Sequence, residues 1–274
     1  MVKLIVSDID GTLVRGEDAP LSETLPAQIL ACREKGIAFA PASGRQYSNL
    51  RKLFAPVADK IDYICENGAV LYRGQTLSDK ISMPRKRAEE LIGYILEAEG
   101  CEVVISGADT SYLIPKDPEI YHHVHDVMGN HTMVVPSVSD IQEDILKVAA
   151  FCRDGAANYT EILGKMWKKE FKVALSGEKW LDFTIADKGM GVENLCRKMG
   201  ITLQEVMAFG DNYNDLPMLR LVGYPYIIRG SVLDKAGYGK PMPEQEACER
   251  TAREQEKFLA ADSVEEVLNR MIKA

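Results

Sequence analysis

Apolar residues fall in two rhythms along this chain. Short apolar runs at 2–7, 37–41 and 61–65 alternate with stretches, near 22–35 and 46–54, whose apolar positions recur at helical spacing. That alternation predicts strands joined by crossover helices in a parallel sheet, an α/β arrangement. Glu66-Asn67-Gly68-Ala69 interrupts two β-rich runs, Asp62-Tyr63-Ile64-Cys65 and Val70-Leu71-Tyr72, and predicts a turn or hairpin in which Gly68 takes positive φ. From about 83 to 185 the rhythm changes. Helical patterns near 84–99 and 157–169 mix there with short β runs such as Cys101–Ser106, Lys147–Cys152 and 171–176. Alternation then returns: a helix near 189–199, a strand Val206–Gly210, a helix near 213–220, the run Tyr224–Ile228 and a closing helix from Ser263. The expected organisation is a discontinuous α/β core, residues 1–82 plus 186–274, with an α+β module inserted over 83–185. No internal repeat or low-complexity segment breaks this pattern.

Composition narrows the class of partner. Hydrophobic residues make up 46% and charged residues 27% of the 274, as in soluble globular proteins. The formal charge of −8 argues against nucleic acid or an anionic membrane, both of which are bound through clustered Lys and Arg. An anionic substrate therefore has to be held locally, by a cation and a few basic side chains. No run approaches the roughly 18 to 20 apolar residues that span a bilayer, and the N-terminus starts directly on a strand pattern without a signal-peptide core. Six cysteines (Cys32, Cys65, Cys101, Cys152, Cys196, Cys248) lie far apart in sequence with no Cys-x-x-Cys pair. They read as reduced thiols, and a cytoplasmic location is the expectation.

Four short elements carry candidate chemistry. In the first, the run Lys3 to Ile9 delivers Asp8 and Asp10, one residue apart, into the turn at Gly11. If the strand continues that far, both carboxylates point to one side and converge on a cation. Magnesium suits carboxylate oxygen and is commonly shared with substrate phosphate; Asp8 then remains to attack phosphorus, as aspartate does in forming an aspartyl-phosphate. A plain strand ending in an Asp-Gly turn is the competing reading. In the second, Ala40-Pro41-Ala42-Ser43-Gly44-Arg45, Ser43 either hydrogen-bonds a phosphate oxygen where the next helix begins or simply caps that helix. Arg45 is a bidentate anion ligand or a solvated helix residue. In the third, Asp187-Lys188-Gly189, Lys188 can neutralise a transferring phosphoryl group. In the fourth, Gly210-Asp211-Asn212-Tyr213-Asn214-Asp215, Asp211 supplies a further metal carboxylate and Asp215 orients Lys188 or a metal-bound water. Each element follows a predicted strand, and together they provide the nucleophile, phosphate donor, cation and metal carboxylate of phosphoryl transfer.

At this point the chain resembles the haloacid dehalogenase superfamily, whose four motifs stand in order as Asp8-Ile9-Asp10-Gly11-Thr12-Leu13, Ser43-Gly44-Arg45, Lys188 and Gly210 to Asp215. The insert between the second and third motifs, with Glu66-Asn67-Gly68-Ala69, looks like the Cof-type phosphatases with a type-two cap. The resemblance implies a Rossmann-like core carrying an α+β cap. It further implies Asp8 as nucleophile, Asp10 as general acid and base, and Lys188 as the catalytic cation. Magnesium would be held by Asp8, Asp211 and the backbone carbonyl of Asp10. Ser43, Lys188 and Asn214 would hold the phosphoryl oxygens, with Gly11, Thr12, Gly44, Arg45 and Asn67 the other substrate-side candidates and Asp215 supporting from behind. The implied activity is hydrolysis of a small phosphorylated metabolite such as a sugar phosphate. A phosphomutase using the same intermediate and a non-catalytic phosphometabolite sensor are the alternatives. Where such phosphatases often carry Gly-x-x-x-Ala-Met-Gly-Asn-Ala, this chain has Gly223-Tyr224-Pro225-Tyr226-Ile227-Ile228-Arg229-Gly230-Ser231, which bears on subfamily and substrate. The cluster His122, His123 and His125 lacks a complete metal-ligand set and reads as solvated or packed within the insert. The charged stretch 244–258 reads as a solvated helix.

Overall fold

In the computed structural model, which describes residues 1–16, 19–176, 178–238 and 258–273, the chain forms two compact units. One comprises Met1–Gly44, Leu50–Asp79 and Asp187–Ala274; the other comprises Arg45–Asn49 and Lys80–Ala186.

Read along the chain, the first unit opens with β1 (Leu4–Ser7), α1 (Leu25–Glu34), β2 (Ala38–Pro41) and α2 (Tyr47–Leu53), whose first turn belongs to the second unit. A small antiparallel sheet follows: β3 (Asp62–Cys65), β4 (Val70–Arg73) and β5 (Thr76–Lys80). In the second unit, α3 (Arg85–Glu97) precedes β6 (Cys101–Ser106), β7 (Ser111–Leu113), β8 (Thr132–Val134), β9 (Lys147–Cys152), β10 (Lys172–Leu175) and β11 (Trp180–Thr184). The chain re-enters the first unit through α4 (Lys188–Met199), then β12 (Val206–Gly210), α5 (Leu216–Leu221), β13 (Tyr224–Ile228), β14 (Leu259–Ala261) and α6 (Val264–Lys273).

The main sheet of the first unit has the order β14-β13-β12-β1-β2, every neighbour parallel. Its central strands are apolar on both faces because helices cover both sides, and Leu4, Val6, Ala208 and Val206 pack with Leu195 and Leu219 in one core. Polar backbone at the carboxyl ends of β1, β2 and β12 is left at the sheet's edge, where Asp8, Ser43 and Asp211 stand. The second unit has its own sheet, ordered β10-β11-β9-β6-β7-β8 and mostly antiparallel, with a core of Leu91, Ile95, Val103, Val148, Trp167 and Phe183 on its helical side. Among the described residues no helix is long and apolar enough to cross a membrane.

Several expectations are corrected. The run 61–65 is a strand, but it pairs antiparallel with β4 and meets the parallel sheet only through one bridge, Ala42 to Ile64. Its apolar content is the same in either setting, so composition did not discriminate. The helical stretch 157–169 is interrupted by a wide π turn over Thr160–Gly164, and 213–220 splits into a tight turn Tyr213–Asp215 followed by α5, with Pro217 in its first turn. The cysteines, distant in sequence, are not all distant in space: Cys101 and Cys152 are register partners on β6 and β9. The helix expected over 244–258 lies outside the described residues, apart from Phe258.

Candidate active site

β1 ends at Ser7, earlier than the alternation argument requires, because the chain turns sharply after Asp8. The N–H groups of Leu13 and Val14 both reach the carbonyl of Ile9, and Gly11 donates to Val14. Asp8 is buried and Asp10 exposed, both lying past the last residue of β1. Gly11 makes the turn possible at φ +93°, and a Cβ there would stand 2.2 Å from Asp211 Oδ2. The loop backbone thus closes directly onto Asp211.

The centre of the site is a buried charge cluster. Lys188 Nζ, 1% exposed, donates to Asp8 Oδ1 at 2.5 Å and to Asp215 Oδ1 at 2.6 Å. Asp211 joins them: ligand-capable oxygens of Asp8, Asp211 and Asp215 lie within 4.8 Å of one another. Asp215 is fully buried, and its Oδ2 accepts the N–H groups of Asp211 and Asn212, which folds the turn after β12 back on itself. Thr12 donates its hydroxyl to Asp211 Oδ1 at 3.3 Å. Asp8 Oδ2, also buried, receives no donor from the described residues; Asp8 and Asp211 can bond each other only while one of them holds a proton.

Electrostatics follow from that inventory. Burial pushes the Asp8 carboxyl up to about 8, against the pull of Lys188 and with the push of Asp215 and Asp211. Burial and Asp215 push Asp211 up to about 6. Burial also opposes the charge on Lys188, but the carboxylates of Asp215 and Asp8 outweigh it and hold the ammonium above its ordinary range. Ionised, the cluster has three negative charges and one positive, a deficit that one divalent cation balances. Clustered carboxylates, one buried oxygen without a partner among the described residues and a net charge of minus two fit a hard cation of the magnesium type. Asp215 has both oxygens committed to Lys188 and backbone, which leaves Asp8 and Asp211 as the side chains able to hold it.

Lys188 reaches this place by a route the sequence pattern did not show. The strand before it, β11, belongs to the antiparallel sheet of the second unit, not to the parallel sheet. Lys188 instead opens α4, capped by Asp187, whose side chain accepts the Met190 N–H at 2.9 Å. A lysine at a helix N-terminus opposes the helix dipole, and Asp8 and Asp215 offset that cost.

The Glu66-Asn67-Gly68 turn packs against the start of α4. Glu66, Asn67 and Gly68 all have positive φ (48°, 53° and 97°), a run that only the surrounding packing sustains. A Cβ on Gly68 would lie 2.0 Å from the Asp187 carbonyl. Gly68→Ala is expected to cost about 2 kcal/mol or more, from backbone strain and displacement of α4 together; urea unfolding measures it, and a cost below about 0.5 kcal/mol would mean that the turn is not wedged.

The remaining candidates fall as follows. Ser43 is buried; its N–H donates to the Ile64 carbonyl and its own carbonyl accepts the Asn67 N–H. Gly44 lies against Asn67, where a Cβ would stand 3.1 Å from Nδ2. Asn214 is exposed and its amide reaches Asn67 Oδ1 at 3.5 Å. Arg45 groups with the second unit. In that unit His122 pairs with Asp126 at 2.6 Å, His125 stacks on Tyr121, and His123 packs against Phe151 and Trp180. Sequence reasoning passed over Asp187 and Asn212, which cap the turns that carry Lys188 and Asp215; both precede helical turns, the one signal that marks them.

Residues 5–231 match the model of a family described as haloacid dehalogenase-like hydrolase. The chain is 24% identical over 240 residues to the 5-amino-6-(5-phospho-D-ribitylamino)uracil phosphatase YbjI of Escherichia coli, covering 84% of this chain and 86% of the relative. It is 26% identical over 247 residues to the HMP-PP phosphatase of Serratia proteamaculans, with 85% of each covered. Among solved structures, TM0651 from Thermotoga maritima superposes with a TM-score of 0.76 at 22% identity, covering 98% of this chain and 97% of that one. The subclass IIB sugar phosphatase BT4131 superposes at 0.72 with 20% identity, covering 98% and 99%.

Proposed function

The chain belongs to the haloacid dehalogenase-like hydrolases, and from that premise we propose that it hydrolyses a small phosphate monoester through a phosphorylated Asp8, with magnesium as cofactor. The observation that carries the reading is the state of Asp8: one oxygen held by Lys188 at 2.5 Å, the other buried without a donor among the described residues. A purely structural carboxylate would have both oxygens satisfied, as Asp215 does.

In this reading a carboxylate oxygen of Asp8 attacks phosphorus and the bond from phosphorus to the ester oxygen breaks. Asp10, exposed at the same turn, donates the proton that the leaving oxygen takes up. Water then attacks the phosphorus of the aspartyl-phosphate while Asp10 takes its proton, which releases phosphate and restores Asp8. Lys188 draws Asp8 toward its ionised form against burial and offsets charge on the phosphoryl oxygens; Ser43 and Asn214 are the remaining polar groups assigned to those oxygens. Asp8, Asp211 and the Asp10 carbonyl would hold magnesium, which would supply further neutralisation of phosphoryl charge.

The substrate class is a small phosphorylated metabolite. Two relatives are named for phosphatase action on a phosphorylated ribitylaminouracil and on HMP-PP, so those compounds head the panel, followed by sugar phosphates. Phosphate release that requires magnesium supports the proposal. An isomerised phosphate ester without free phosphate would replace it with a phosphomutase, and tight binding without turnover would replace it with a sensor. Cation binding has its own readout: magnesium is expected to raise the thermal unfolding midpoint of the unliganded protein, and Asp211→Asn to abolish most of that rise. An equal rise in the variant would move the cation elsewhere.

A further inference from the structure

The second unit holds a pair of thiols that phosphoryl transfer does not use. Cys101 and Cys152 face each other across β6 and β9, their sulfurs 3.4 Å apart and both side chains buried. Their backbones exchange no hydrogen bonds. Cys101 N–H turns to the Ala98 carbonyl, Cys152 N–H goes to Lys179 on the other side, and the ladder bond falls on the next pair, from Arg153 N–H to the Gly100 carbonyl. Non-bonded antiparallel pairs bring Cα atoms to about 4.5 Å, inside the range of about 4.4–6.8 Å that a disulfide spans. The two thiols are thus placed to join without moving a strand.

A cavity of about 350 Å3 leads to one of them. Cys101 lines it, together with Gly100, Glu102, Lys116, Asp117 and Arg153. Cys152 is not part of the lining, so of the two buried thiols Cys101 is the one that borders the cavity.

We propose that Cys101 and Cys152 form a reversible disulfide when hydrogen peroxide enters this cavity. The sulfur of Cys101 attacks one peroxide oxygen; the O–O bond breaks, an S–O bond forms and water leaves, giving a sulfenic acid at Cys101. Cys152 sulfur then attacks Cys101 sulfur, an S–S bond forms, and the hydroxyl departs with the Cys152 proton as a second water. Two thiols and one peroxide become one disulfide and two waters.

Cys101 is the group suited to the first step. The contact with Cys152 lowers its thiol pKa against the effect of burial, with Tyr159 and Lys116 helping, while the same contact and burial push Cys152 up. Hydrogen peroxide fits the cavity as a small neutral oxidant. Glu97, Glu99, Glu102 and Asp117 in the lining disfavour a bulky anionic disulfide.

The test treats the reduced full chain with equimolar hydrogen peroxide, quenches it, alkylates under denaturing conditions and maps peptides by mass. The expected product is a peptide pair joined through Cys101 and Cys152, two hydrogens lighter and restored by dithiothreitol. In Cys152→Ser, dimedone should trap a sulfenic acid at Cys101; in Cys101→Ser, neither cross-link nor trapped Cys152 should appear. Full alkylation of both cysteines, or dimedone on Cys152 in the wild type, would overturn the proposal. If a variant fails to fold, the wild-type peptide map decides alone, and no outcome depends on turnover.

Discussion

Asp8→Asn is expected to lower kcat by at least about 10^4-fold while the protein stays folded. The amide keeps the shape of the side chain and one oxygen for Lys188 but cannot serve as the nucleophile. Stability should hold or rise, because the substitution removes a carboxylate that burial pushes up to about 8 and that adds to a cluster already in excess of negative charge. Lys188 retains Asp215 as a partner at 2.6 Å, so no ammonium is left unpaired. Two measurements separate catalysis from folding: initial rates with the best substrate of the panel, and urea unfolding of both proteins. Turnover within tenfold of wild type would remove Asp8 as nucleophile. Equal loss of activity and of cooperative unfolding would mean that Asp8 is chiefly structural.

The parts of this site that were legible in the sequence are those written locally. Asp8, Ser43 and Asp211 follow short apolar runs, and the rule that parallel sheets present chemistry at strand carboxyl ends places them correctly. For Asp10 the alternation rule does not apply, because β1 ends at Ser7 and the chain turns to let Gly11 close on Asp211. Lys188 was found as a basic residue that follows an apolar run and opens a helix pattern, while the strand credited with presenting it belongs to another sheet. Sheet membership is a tertiary property: β11 and β12 carry similar apolar runs, and only their partners tell them apart. The Cys101–Cys152 pair shows the same limit, since strand register alone brings together residues separated by 51 positions.

The burial of Lys188 links site to fold. Its ammonium is deep in the first unit at the start of α4, where desolvation and the helix dipole both oppose a positive charge. Only the carboxylates make the position tolerable, and only the lysine makes the carboxylates tolerable.

Lys188→Met therefore carries the largest stability loss expected of a single substitution here, about 3–5 kcal/mol at neutral pH. Methionine fills much of the same volume, so the loss reports charge more than cavity. Asp8, Asp211 and Asp215 would remain as three buried carboxyls without a protein cation. Acids whose pKa is raised by folding bind more protons folded than unfolded, so their contribution to stability is best at low pH and declines as pH rises. Asp8 and Asp211 are already pushed up to about 8 and about 6 with the lysine in place. The deficit of Lys188→Met should hence be smaller at pH 5 than at pH 8, and magnesium should recover part of it at the higher pH. Adding Asp215→Asn removes one of the stranded charges, and the double variant should lose less than the two single losses summed. Urea unfolding at both pH values measures all of this. A loss below about 1 kcal/mol at pH 8, with no dependence on pH or magnesium, would show that the cluster does not rely on Lys188 for its charge balance.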